Sequence, residues 1–177
     1  MNIFFAIILI GISLSMDAFS LALIYGTYSL DRKDKYILSI IVGIFHFFMP
    51  LMGLGVGGLI NFYFLLNIDM IVGVIFGIIG IEMIVSSIKD EEVNIVFGLF
   101  GNLLFGLSVS IDSFTTGIGL SLISNNYLLC SLMFMIISSF FTFMGLNLGN
   151  KLSDKFGKIA TIIGGGIMII LGITYIF

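Results

Sequence analysis

The sequence predicts an all-α membrane protein of six transmembrane helices arranged as two inverted three-helix repeats. Three observations predict it. First, 59% of the 177 residues are hydrophobic and only 10% are charged, whereas soluble domains are about 45–50% apolar and about 25% charged. Second, six apolar runs, approximately residues 3–26, 36–60, 68–88, 95–123, 127–149 and 159–177, each supply the roughly 20 residues that cross ~30 Å of hydrocarbon. Third, Ser13-Leu14-Ser15-Met16-Asp17-Ala18-Phe19-Ser20 returns 95 residues later, from Asp17 to Asp112, as Ser108-Val109-Ser110-Ile111-Asp112-Ser113-Phe114-Thr115. A glycine precedes each copy at the same distance, Gly11 and Gly106.

The first run carries no positive charge ahead of it in Met1-Asn2-Ile3-Phe4-Phe5, so it is read as a retained membrane helix and not a signal peptide. In lipid every backbone group must be bonded internally, which makes each run a helix. The second run holds Gly53 and Gly57, and the fifth holds Gly145 and Gly149. Small residues at this spacing let helix backbones approach closely. Pro50, the only proline, lies in the second run, where it leaves the carbonyl of His46 without its helical partner. The third and sixth runs are rich in glycine, with Gly73, Gly77 and Gly80 matched by Gly164, Gly165, Gly166 and Gly172. No connection is long enough for a soluble domain, so the chain is one integral membrane domain, 1–177, with repeat one at about 1–89 and repeat two at about 95–177.

All seven basic residues fall in the odd-numbered connections: Arg32, Lys33 and Lys35, then Lys89, then Lys151, Lys155 and Lys158. The positive-inside rule puts those connections in the cytoplasm and both termini outside. Three helices per repeat is an odd number, so the second repeat enters the membrane upside down relative to the first. Inverted repeats of this kind are a recurring transporter architecture, with the site near the midplane between them. A net charge of −3, with no basic run, gives no footing for nucleic acid. The single cysteine, Cys130, has no partner for an internal disulfide and no ligand spacing.

An ionisable side chain at bilayer depth costs about 2.5–3.5 kcal/mol on insertion scales and marks a functional site. At helical spacing Ser13, Asp17 and Ser20 share a face, as do Ser108, Asp112 and Thr115, provided the helix runs unbroken through the motif. Ser15 and Ser110 point away and are expected to bond their own backbone. Two facing carboxylates among hydroxyls, with no Lys or Arg in any membrane run, form a pocket for cations, protons or both. Hard oxygen ligands suit Mg²⁺, Ca²⁺ or Mn²⁺ better than Cu⁺ or Zn²⁺. One divalent ion or two protons can neutralise the pair, which suggests exchange of metal for protons as counter-ion. Glu82, nearer the cytoplasmic end of the third run, reads either as a gating carboxylate or as a side chain reaching the interface near Lys89. His46 reads either as a metal ligand or proton relay, or as a hydrogen-bonded packing residue. Asn102 and Asn147 are weaker cavity-lining candidates. Asp69, Asp90, Glu91 and Glu92 sit at membrane edges.

The paired motif, the six helices and Met49-Pro50-Leu51-Met52-Gly53 resemble the bacterial manganese efflux pump family (MntP type), grouped with the lysine exporter superfamily. The resemblance covers essentially the whole chain. It implies a multi-pass exporter of the bacterial plasma membrane that lowers cytoplasmic Mn²⁺, with Asp17 and Asp112 essential and no cofactor. The chain departs from the family at His46, where Gln or Glu is common, and at Ser86, where the family offers Glu and this chain has Glu82 one turn earlier. A related sporulation membrane protein family shares the repeated motif. An intramembrane aspartyl protease also uses two membrane aspartates as a general acid and base, but the Tyr-Asp and Gly-x-Gly-Asp sequences of such enzymes are missing here.

Overall fold

The computed structural model describes residues 3–28, 30–63, 68–88, 98–121, 126–149, 151 and 154–176. Seven helical segments account for nearly all of them: α1 (Ile3–Gly26), α2 (Arg32–Tyr63), α3 (Ile68–Ile88), α4 (Leu99–Ser108), α5 (Ile111–Ser121), α6 (Tyr127–Leu148) and α7 (Asp154–Ile176). Among the described residues, five spans are long and apolar enough to cross a membrane, namely Phe4–Gly26, Arg32–Gly58, Leu99–Ser121, Tyr127–Leu148 and Phe156–Ile176; α3 contributes the shorter apolar stretch Val72–Ile88. The expected first and third runs coincide with α1 and α3. The second run begins earlier, because Arg32 to Lys35 already turn as helix. Pro50 sits inside α2 without ending it. Lys89 and the acidic residues 90–92 lie outside the described residues, as does most of the connection that follows them.

The fourth run differs from expectation. It is not one helix but two, α4 and α5, broken at Val109 and Ser110 within the second motif. The amide of Ser110 donates to the Leu107 carbonyl at 3.2 Å, the short reach of a turn, where an unbroken helix would use Gly106.

Glycines set how the helices meet. A Cβ on Gly145 of α6 would stand 2.8 Å from both the Phe19 carbonyl and the Ala22 side chain of α1, and one on Gly149 would strike Leu23 and Gly26. Gly53 and Gly57 of α2 seat in the same way on Phe114, Ile118 and Ser121 of α5. Gly11 of α1 faces Phe134 and Ile137 of α6, and Gly106 of α4 faces Ile41 and Phe45 of α2. These matches rise together in residue number, so α1 runs parallel to α6, and α2 runs parallel to α4 and α5. Gly80 meets Gly165, and Gly73 meets Gly172, so α3 and α7 are antiparallel and touch backbone to backbone. The remaining neighbours are α2 with α6, α1 with α7, and α3 with α5.

Two apolar cores result. One joins Ala18, Ala22 and Tyr25 of α1 to Leu38, Val42, Phe105, Val109 and Leu146. The other joins Ile7, Ile10 and Leu14 of α1 to Leu54, Phe76, Met83, Leu120, Phe134 and Met168, among others. Because Gly26 packs on Leu146, Arg32, Lys33, Lys35 and Lys151 all lie at one end of the bundle. The outer surface is apolar: Ile40, Ile44, Phe48, Met52 and Val56 expose every fourth residue along α2. A stripe of that kind suits acyl chains and not water.

Candidate functional site

Each motif aspartate lies at the seam between the two cores. Asp17 falls between Leu14 of one core and Ala18 of the other. Asp112 falls between Val109 and Leu120 in the same sense. Both are half-buried. The carboxylates of Asp17 and Asp112 lie within Coulombic range of one another, and Glu82 of α3 lies within range of both. Glu82 itself is exposed. Three carboxylates from α1, α3 and α5 therefore share one field, while Arg32, Lys33, Lys35 and Lys151 lie at the bundle end and Lys158 follows Gly157, which packs on Ser20.

The two motif copies hold their aspartates differently. In α1 the helix is continuous, and Ser13 is fully buried with a hydroxyl that has no hydrogen-bond partner, one turn before Asp17. Ser20 is half-buried against α7, where Gly157 leaves room for it. The expected face of Ser13, Asp17 and Ser20 is continuous there. In the second copy the break interrupts it. Ser108 ends α4 exposed, its hydroxyl donating to the Leu104 carbonyl at 2.8 Å. Thr115 is exposed on α5. Asp112 falls in the first turn of α5, where its Oδ1 accepts from the Ser113 amide at 2.7 Å. A helix N-terminus offers free N–H groups and a positive partial charge, so the break gives this carboxylate a local donor.

Ser15 and Ser110 bond their own helices as expected, donating to the carbonyls of Gly11 at 2.6 Å and Gly106 at 2.8 Å. Ser15 also meets Ser138 of α6 at 3.0 Å, a contact the sequence did not announce, since a serine pair in an apolar helix is a weak signal. Thr142 and Ser131 of α6 and Thr116 of α5 are likewise fully buried with hydroxyls that lack partners. His46 is completely buried; its Nδ1 lies 3.0 Å from the Val42 carbonyl, and its Nε2 has no partner among the described residues. Asn102 is half-buried, and Asn147 is exposed with its amide on the Phe143 carbonyl.

Among the described residues no three His, Cys, Asp or Glu side chains converge into a ready ligand set. What the arrangement offers is a dispersed anionic field with buried hydroxyls and a broken helix at its centre. Hard divalent cations are held by such oxygen donors, commonly with carbonyls and water completing the shell.

The chain matches the family described as "Putative manganese efflux pump" over residues 29–176. Relatives bearing that description with the name MntP include one from Bacillus pumilus, 32% identical over 170 residues, covering 96% of this chain and 92% of the relative. Another, from Geobacillus thermodenitrificans, is 32% identical and covers 97% and 94%. A third, from Methanosphaera stadtmanae, is 32% identical and covers 94% and 95%. No solved structure matches. The family match begins after α1 and takes in the second motif, the relatives cover 94–97% of the chain and so reach both motif helices, and the chain belongs to the manganese efflux pump family.

Proposed function

We propose that this protein exports Mn²⁺ across the plasma membrane by alternating access, with Asp17 and Asp112 sharing the ion near the midplane. The observation that carries the reading is the placement of two motif aspartates from opposite halves of the chain, each half-buried at the seam between the two cores, in helices that hold no basic residue. A dianionic pair is unfavourable between two apolar cores unless a cation neutralises it. One Mn²⁺ or two protons does so, which makes proton exchange the natural coupling. Ser13 and Ser20 add hydroxyl oxygens beside Asp17. Ser108 and Thr115 join only in a state where α4 and α5 align. Glu82 supplies a third negative charge and guides the cation toward the pair from the cytoplasmic end.

The inverted repeat is supported by the packing. Exchanging α1 with α4 and α5, α2 with α6, and α3 with α7 returns the same set of helix neighbours. The exchange holds for single residues as well: Gly145 on Phe19 corresponds to Gly53 on Phe114, and Gly165 on Gly80 to Gly73 on Gly172. The basic end is read as cytoplasmic by the positive-inside rule, which leaves both termini outside.

Flux in proteoliposomes tests the reading. Asp17→Asn and Asp112→Asn each abolish Mn²⁺ movement while circular dichroism stays that of the parent. Full flux in both variants rejects it.

A further inference from the structure

The same sequence motif stands in two conformations, straight in α1 and broken between α4 and α5, and His46 marks the difference. Gly53 and Gly57 correspond to Gly145 and Gly149, and this register places His46 of α2 opposite Ser138 of α6. The motif register likewise places Ser110 opposite Ser15. Where the helix is straight, Ser15 and Ser138 are hydrogen-bonded across the interface at 3.0 Å. Where it is broken, Ser110 spends its hydroxyl on its own backbone, at 2.8 Å from Gly106 and 3.1 Å from Leu107. His46 is left fully buried with a bare Nε2.

Packing puts the two side by side. Gly106 of α4 sits on Ile41 and Phe45, and Gly117 of α5 sits on Pro50, so His46 and Ser110 both fall between these contacts. The Val42 carbonyl can only accept, so in the neutral ring Nδ1 carries the proton and Nε2 a lone pair. A buried lone pair without a donor is costly, so a state that offers it one is favoured.

We infer that His46 is a positioning residue that latches the straight form of the second motif helix, its Nε2 accepting from the Ser110 hydroxyl when α4 and α5 join. The latch is the counterpart of Ser15 with Ser138, and the two halves straighten in turn. In the state described here α1 is latched and the second span is not. The inference rests on the alternating-access reading for its use in transport, but the latch itself is a property of the protein without metal.

The experiment has two arms. In metal-free protein in nanodiscs, hydrogen exchange at the amides of Val109 to Ile111 reports the break. His46→Ala and Ser110→Ala each raise exchange there severalfold, the double variant raises it no further, and His46→Ser, which recreates a Ser–Ser pair, returns it toward the parent. In the second arm His46→Ala lowers Mn²⁺ efflux about tenfold, the order expected for losing one buried hydrogen bond, His46→Ser restores most of it, and heat stabilisation by Mn²⁺ stays. Unchanged exchange in both alanine variants, or additive effects in the double variant, overturns the latch. Loss of Mn²⁺ stabilisation in His46→Ser as complete as in Asp17→Asn also overturns it, because His46 is then a ligand. If Asp17→Asn leaves flux intact, the transport reading fails, while the exchange arm still decides the latch.

Discussion

An aspartate in an apolar helix is tolerated when something in the bundle answers its charge. Here the neighbouring acids add to the charge: Glu82 opposes ionisation of Asp17, and Asp17 and Glu82 both oppose that of Asp112, so the answer falls to a bound cation or to protons. Glu82 lies further out and is exposed, so its loss weakens the field without removing a ligand. Glu82→Gln should lower Mn²⁺ affinity by about tenfold, an electrostatic effect of roughly 1–2 kcal/mol at the effective dielectric of a partly solvated site; microscale titration of the purified protein reads it. The glycines divide just as clearly. A Cβ at Gly145 meets backbone of α1 at 2.8 Å, and a Cβ at Gly55 meets nothing within 4 Å. Gly145→Ala should destabilise the bundle by about 1–3 kcal/mol through overpacking. Gly55→Ala should stabilise it by about 1 kcal/mol through helix propensity. Melting curves in one detergent separate the two, and equal shifts would contradict the packing described.

At the scale of elements the second motif span departs most from what the residues announce. Both copies read as Ser-x-Ser-x-Asp-x-Phe followed by a hydroxyl residue, so nothing local distinguishes the one that breaks. The difference lies in what each faces: α1 has Ser138 to bond, and α4 with α5 has a histidine whose ring does not reach Ser110 in this state. The face expected for Ser108, Asp112 and Thr115 was a correct reading of helical period applied to a helix that stops. Run lengths of α1 and α3, by contrast, were plain in the sequence, because apolar content alone sets them. Gly98 shows a further local demand. It precedes α4 with φ 91 and ψ −179, a backbone region essentially reserved for glycine that costs a residue with a Cβ about 1–3 kcal/mol. Gly98→Ala should therefore lower the melting temperature by a few degrees although no neighbour lies within 4 Å.

For the whole molecule, the sequence pattern recurs at two places, the motif and the glycine pairs, and corresponding glycine contacts stand at both. The two motif acids were legible as candidates, since each carries its own sequence flag. The pairing of Ser15 with Ser138 was not legible, because a hydroxyl in a membrane helix satisfies itself on its own backbone as readily as it bonds a neighbour. Orientation belongs to this scale too. Reporter domains inserted in the connection between α6 and α7 should be active only in the cytoplasm, and those between α5 and α6 only outside; the reverse pattern would invert the direction of export. The account stands on one ion held between two halves, and equilibrium Mn²⁺ titration of the purified protein tests that most directly. It predicts one ion per chain, lost entirely in either Asp17→Asn or Asp112→Asn. Two ions per chain, with each substitution removing only one, would contradict it.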